Sequence, residues 1–157
     1  MAGVYLALAL LAQVELLHFA RFRGAEVSLV LVVVVWYAIR VDARRAAVYG
    51  LIAGLCEDVL ATQTGAAWTI STTITAILAG MLSRGFFADS TPLVAGITFI
   101  ATLIRSLFFW IVMAIEGYPA GYAAIHFHQA LWQALLNAAL VVVLTLAIRY
   151  RENLPFR

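Results

Sequence analysis

Long apolar stretches separated by short polar connections run through the whole chain. Six such stretches can be distinguished: Val4–Leu17, Val27–Ile39, Ala46–Ala61, Ala66–Leu82, Leu93–Ile115 and Ala124–Ile148. The connections are too short to hold a soluble domain. The pattern predicts an all-α integral membrane protein, a bundle of six transmembrane helices that forms one domain over residues 1–157.

Composition supports a membrane protein over a soluble one. Hydrophobic residues make up 65% of the chain and charged residues 11%, whereas a soluble domain carries about 25% charged residues. The stretch from Gly117 to Ile148 has no charged residue and is too long for a soluble core helix. Cys56 is the single cysteine, which excludes an intrachain disulfide and a multi-cysteine metal site.

Arginine placement predicts the orientation of the bundle. The ten basic residues are all arginine, and the formal charge of +2 is small and clustered at segment ends, so it indicates topology and not nucleic-acid binding. With six spans and both termini cytoplasmic, seven arginines lie on the inner side: Arg40, Arg44, Arg45, Arg84, Arg149, Arg151 and Arg157. Only Arg21 and Arg23 lie outside, and the tenth, Arg105, lies within the fifth segment.

A five-span alternative has its N-terminus outside. It arises if Val27–Ile39, whose helix is about 20 Å long, fails to cross about 30 Å of hydrocarbon. All nine flanking arginines would then be cytoplasmic. Trp36 and Tyr37 at the end of this segment resemble an interfacial anchor of a spanning helix and therefore favour the six-span topology. The bilayer can also become thinner locally to accommodate a short span.

Polar residues interrupt five of the six segments at a similar height. Each lies about 12 to 14 residues from the predicted cytoplasmic edge of its helix. The five residues are Glu15, Asp58, Thr72, Arg105 and Asn137. They predict a polar layer inside the bundle, for which three interpretations stay open: a static network, a site for a small ligand, ion or proton, and a contact with a partner helix.

Arg105 is the most informative member of this layer, because an unpaired charge at the membrane centre costs about 2.5–3.5 kcal/mol. Gly50, Gly54 and Asp58 follow one another at intervals of four residues, which is typical of close helix packing and places Asp58 toward the bundle. We therefore expect Asp58 to form the ion pair with Arg105, with Glu15 as second candidate. Glu57 is expected to reach the outer interface.

The sequence contains no motif of a known catalytic centre. There is no H-E-x-x-H, no G-x-S-x-G and no phosphate-binding loop. His126 and His128 are two residues apart and face different sides of a helix, so no metal is expected. We predict no enzymatic activity and no cofactor.

The stretch "RRAAVYGLIAGLCEDVLATQTGAAWTISTTITAILAGMLSR" resembles the signature region of the MreD family of rod shape-determining membrane proteins. In that family a basic helix entry, a glycine-bearing segment, an acidic residue and a glycine turn precede a helix of small residues. Gly54 would be the glycine of the segment, Asp58 the acidic residue and Gly65 the glycine of the turn. The resemblance implies a bacterial inner-membrane component that binds MreC and stands in one complex with RodA, its transpeptidase and MreB. Membrane lipids are the other expected contact, and nucleic acid is not expected.

The family is also similar in fold to the S components of energy-coupling-factor vitamin transporters. This similarity implies an S-component-like six-helix bundle. It also supplies the alternative function, in which the chain binds a small vitamin near its outer face. Tyr118 and Tyr122 could then cap the ligand, although interfacial anchoring explains them equally well.

Overall fold

Six α-helices follow one another in the computed structural model, which describes residues 2–15, 21–62, 64–82 and 90–152. They are α1 (Ala2–Glu15), α2 (Leu29–Ala38), α3 (Ala43–Ala61), α4 (Ala67–Leu82), α5 (Thr91–Ile115) and α6 (Ala123–Glu152). Each helix corresponds to one predicted apolar segment. The predicted end of the first segment, residues 16–17, lies outside the described residues.

A short β-hairpin joins α1 to α2. Strands β1 (Arg21–Phe22) and β2 (Ala25–Glu26) are antiparallel, with Phe22 opposite Ala25. Arg23 and Gly24 form the two-residue turn with φ of 52° and 79°. Positive φ at both positions matches the right-handed twist of the strands, and glycine supplies it at one position without steric cost.

Helix α2 lies at the centre of the bundle and contacts all five other helices. Its sequence is apolar on every side, which is typical of a helix that packs against neighbours on most of its surface. Val30, Leu31, Val34 and Val35 have no exposed surface. With 10 residues it is the shortest of the six described α-helices, about 15 Å long.

Helices α3 and α4 pack through glycines that admit the neighbouring backbone. A Cβ atom added to Gly50 would lie 2.6 Å from the Ala76 Cβ, and one added to Gly54 would lie 2.5 Å from the Thr69 Cα. Both distances are shorter than real Cβ contacts. The predicted G-x-x-x-G pair therefore lies where these two helices approach each other closely.

Helices α5 and α6 are long enough and apolar enough to cross a membrane. The qualifying segments are Thr91–Ile115 and Ala120–Ile148, the latter including a short 3₁₀ turn at Ala120–Tyr122. Among the described residues, three further apolar helices are shorter: Gly3–Val14, Leu29–Ala38 and Ala67–Leu82.

Candidate functional site

An ion pair between Arg105 of α5 and Glu57 of α3 lies inside the bundle. The Arg105 Nη1 is 2.9 Å from the Glu57 Oε1 and 3.3 Å from Oε2. Their side chains are 3% and 6% exposed. Two predictions are therefore wrong: Arg105 does not pair with Asp58, and Glu57 does not reach the outer interface.

Helix rotation explains why Glu57 replaces Asp58. Each residue turns the helix by about 100°, so two steps of four residues carry Asp58 about 80° away from Gly50. A step of seven residues brings Glu57 to within about 20° of Gly50. Gly50, Ala53, Gly54 and Glu57 accordingly belong to the buried face of α3, whereas Asp58 does not.

Further contacts hold both members of the pair in place. Thr72 of α4 donates a hydrogen bond to the Glu57 Oε2 at 3.0 Å. The Arg105 Nη2 donates to the Ser28 Oγ at 3.0 Å, and the guanidinium carbon lies 4.7 Å from the ring centroid of Trp68. The pair is thus hydrogen-bonded as well as charge-balanced, the condition under which a buried charge is tolerated.

Side chains of the same layer accept hydrogen bonds from the backbone N–H groups at the start of α2. The N–H of Ser28 donates to the Asn137 Oδ1 at 2.9 Å, the N–H of Val30 to the Gln13 Oε1 at 3.1 Å, and the N–H of Leu31 to the Ser28 Oγ at 3.3 Å. The first N–H groups of a helix have no partner within it. Side chains from α6 and α1 therefore cap α2 from outside, together with its own Ser28.

Asn137 connects this cap to α5. Its Nδ2 donates to the Thr102 Oγ1 at 3.2 Å, and Asn137 and Thr102 have no exposed surface. One chain of hydrogen bonds consequently runs from Thr72 through Glu57, Arg105, Ser28 and Asn137 to Thr102. It joins α3, α4, α5 and α6 around Ser28, the residue directly before α2.

Asp58 has a separate role as a cap of α4. Its carboxylate accepts hydrogen bonds from the backbone N–H groups of Trp68 at 3.1 Å and Thr69 at 2.8 Å. The hydroxyls of Thr69 and Thr64 donate to it at 2.6 Å and 2.9 Å. A carboxylate at a helix N-terminus is stabilised by the helix dipole, and here it accepts from two backbone N–H groups that have no partner within the helix. Asp58 therefore links the end of α3 to the start of α4.

Of the predicted site residues, the structure brings Arg105, Thr72 and Asn137 into one network and places Asp58 beside it. Gly65 turns the chain between α3 and α4 with φ of 54°, and a Cβ at this position would collide with the Glu116 side chain. Glu15 is the last residue of α1, and its side chain lies outside the described part of the structure.

Sequence reasoning missed Ser28, Gln13 and Trp68. Ser28 carried a usable signal, because a serine directly before an apolar run is a typical helix N-cap. Gln13 and Trp68 gave no such signal, since their contacts depend on which helices are neighbours. Among the described residues, no group of three His, Cys, Asp or Glu side chains could hold a metal ion.

These features define an all-α protein built from apolar helices around a buried polar layer. The family model for the rod shape-determining protein MreD matches residues 1–150, nearly the whole chain. The chain belongs to the MreD family, whose members are membrane proteins with a role in rod shape determination. A search of curated proteins found no match, and neither did a search of solved structures.

Proposed function

We propose that the chain is a non-enzymatic scaffold of bacterial cell shape and peptidoglycan elongation in the inner (cytoplasmic) membrane. It binds MreC directly and stands in the same complex as RodA, its transpeptidase and the MreB filament. The observation that carries this proposal is the family match over residues 1–150.

The polar layer supports a scaffold function. Glu57 and Arg105 neutralise each other, and hydrogen bonds from Thr72 and to Ser28 fix both side chains. A buried network with such complete pairing holds neighbouring helices in one arrangement. A fixed arrangement of helices is what a protein needs in order to present a constant surface to its partners.

The proposed topology has six spans with both termini in the cytoplasm. The short helix α2 is the difficulty, because about 15 Å of helix cannot cross about 30 Å of hydrocarbon alone. Non-helical backbone is tolerated at membrane depth where it is buried in protein. Ser28 is 2% exposed and its N–H bonds to Asn137, so the start of α2 can lie within the membrane without facing lipid.

Cysteine labelling tests this topology. Cys56 is first replaced by alanine, and single cysteines are placed near Gly3, at Arg23 and near Glu152. A membrane-impermeant reagent applied to whole cells should label only the site at Arg23, the hairpin control. Labelling near Gly3 from outside would support five spans and contradict the proposal.

Gene deletion and co-purification test the function. Loss of the chain should convert rods to round or irregular cells, and the wild-type gene should restore the rods. Affinity purification from mildly solubilised membranes should recover MreC. Normal shape after deletion, together with lost uptake of a vitamin, would contradict the scaffold and favour the alternative of a transporter S component.

A further inference from the structure

Helix α3 presents a short apolar surface on the outside of the bundle. Its exposed large hydrophobic side chains, here called the α3 face, extend over about 18 Å of the helix. They are Val48, Leu51, Ile52, Leu55, Val59 and Leu60, each between 43% and 75% exposed. Because α3 crosses the membrane in both the six-span and the five-span topology, this face lies against the acyl chains of the bilayer.

Polar groups limit the apolar part of α3 at both ends. At its start Asp42 and Arg45 form an exposed ion pair, with 3.5 Å between Oδ2 and Nε, and Arg44 is exposed as well. At its end Thr62 has a φ of 55° and stops the helix. The last carbonyl groups of a helix have no partner within it and cannot face hydrocarbon. The apolar part, Ala46–Ala61, is therefore about 24 Å long.

Helices α5 and α6, by contrast, are longer than the membrane is thick. They pack against each other. Helix α5 has 25 residues and is about 37 Å long, and the apolar part of α6, from Ala123 to Ile148, is about 39 Å long. Both exceed a hydrocarbon thickness of about 30 Å, and a long helix adapts to this difference by tilting.

Helix α3 falls short of the same thickness by about 6 Å and cannot adapt in that way, because tilting only reduces the depth that a helix spans. Arg44 and Arg45 can snorkel at the inner end. At the outer end the chain turns at Thr62, and hydrogen bonds from α4, such as that from the N–H of Thr69 to Asp58, hold this end in place. The remaining adaptation for a short helix in contact with lipid is a thinner bilayer.

We propose that the bilayer is about 6 Å thinner at the α3 face than at α5 and α6. The occupant of this face is the bilayer itself, with compressed acyl chains, so the protein holds a thin patch of membrane on one of its sides. The proposal depends on α3 crossing the membrane and not on the partners proposed above. It therefore stands or fails separately from the scaffold function.

Spin labels measure the local thickness directly. The full chain with Cys56→Ala is reconstituted in phosphatidylcholine bilayers with about 30 Å of hydrocarbon. Val48→Cys or Val59→Cys carries the label in separate samples, at positions that are 55% and 75% exposed. Collisions with oxygen, which dissolves in hydrocarbon, and with a nickel complex, which stays in water, give the depth of each label below the nearer hydrocarbon edge.

The two depths on α3 should add up to about 8 Å, because about 16 Å of helix separates the labels and the local thickness is about 24 Å. In an undeformed bilayer they would add up to about 14 Å. Leu131→Cys and Val143→Cys on α6 provide the matched comparison, with an expected sum of at least about 12 Å. A sum of about 14 Å on α3 would overturn the proposal. So would labels shielded from oxygen, since protein and not lipid would then cover this face.

A longer α3 should reduce the thinning. Arg44→Leu with Arg45→Leu extends the apolar part to Ala43–Ala61, about 28 Å, and should raise the α3 sum by about 4 Å. Arg149→Leu, which extends α6 alone, is the control and should leave the α3 sum unchanged. An unchanged sum in the double variant would mean that the two arginines snorkel through an undeformed bilayer, which contradicts the proposal.

A thinner bilayer gives the same information without the double variant, should that variant not reconstitute. In bilayers with about 24 Å of hydrocarbon the α3 sum should stay at about 8 Å, because α3 already matches this thickness, while the α6 sum falls. A fall of both sums by the same amount would show that the bilayer is not deformed at the α3 face and would overturn the proposal.

Discussion

Removing one member of the Glu57–Arg105 pair should destabilise the protein strongly. Glu57→Gln keeps the size of the side chain and the oxygen that accepts from Thr72, but it leaves the guanidinium buried without a counter-charge. Breaking a buried pair in this way costs about 3–5 kcal/mol. Arg105→Gln should cost a similar amount, because it leaves the Glu57 carboxylate buried and also ends the hydrogen bond to Ser28.

The double variant Glu57→Gln with Arg105→Gln tests whether the two side chains act as a unit. It buries no net charge, so its cost should fall below the sum of the single costs by about 2 kcal/mol or more. Thermal denaturation in detergent, followed by size-exclusion chromatography, ranks the variants by stability. Reversible denaturant titration then gives the free energies of unfolding.

Asp58→Asn is the matched control, since it removes a neighbouring carboxylate on the same helix. Asp58 bonds to backbone N–H groups and hydroxyls at the start of α4 and not to Arg105. Because Asp58 and Arg105 both contact Trp68, some coupling with Arg105→Gln is expected, but it should stay well below the coupling of about 2 kcal/mol or more expected for Glu57→Gln. The Glu57–Arg105 pairing would be refuted if Glu57→Gln were additive with Arg105→Gln while Asp58→Asn were strongly coupled to it.

Three further predictions follow from the contacts around the layer. Asn137→Leu should cost about 1–3 kcal/mol, because it leaves the buried N–H of Ser28 without an acceptor, and should lower the melting temperature. Gly54→Ala should lower the yield of folded protein since its Cβ would overlap Thr69, whereas Gly96→Ala, with no atom within 4 Å, should be neutral or stabilise by about 0.5–1 kcal/mol. Asp58→Ala should cost about 1–2 kcal/mol through loss of the α4 cap and should accelerate backbone amide exchange in the first turn of that helix.

The helices themselves could be predicted from sequence because apolar runs and helix breaks are local properties. The segments Ala66–Leu82 and Leu93–Ile115 differ from α4 and α5 by only one or two residues at their starts. Among the helix starts the largest difference is at α3, which begins at Ala43 and not at Ala46. Its first turn contains Arg44 and Arg45, which apolarity alone excludes, while Asp42 caps it through the N–H of Arg45 at 2.9 Å.

The sequence also allowed several members of the polar layer to be predicted. Arg105, Thr72 and Asn137 interrupt apolar runs, and a polar group buried in an apolar bundle requires a partner wherever it lies. The glycines at 50 and 54 likewise indicated close packing before their neighbour was known. Each of these inferences depends on one helix at a time.

Partner choice depended on tertiary structure, because it is set by the rotation and depth of two helices together. Glu57 and Asp58 are adjacent in sequence and both acidic, yet one turns toward α5 and the other toward the start of α4. Likewise, no local pattern joins Ser28 to Asn137 across 109 residues. The sequence determined which polar groups needed partners. The packing of the short helix α2 among the others determined which partners they found, since the N–H groups at a buried helix start must donate to whichever side chains surround them.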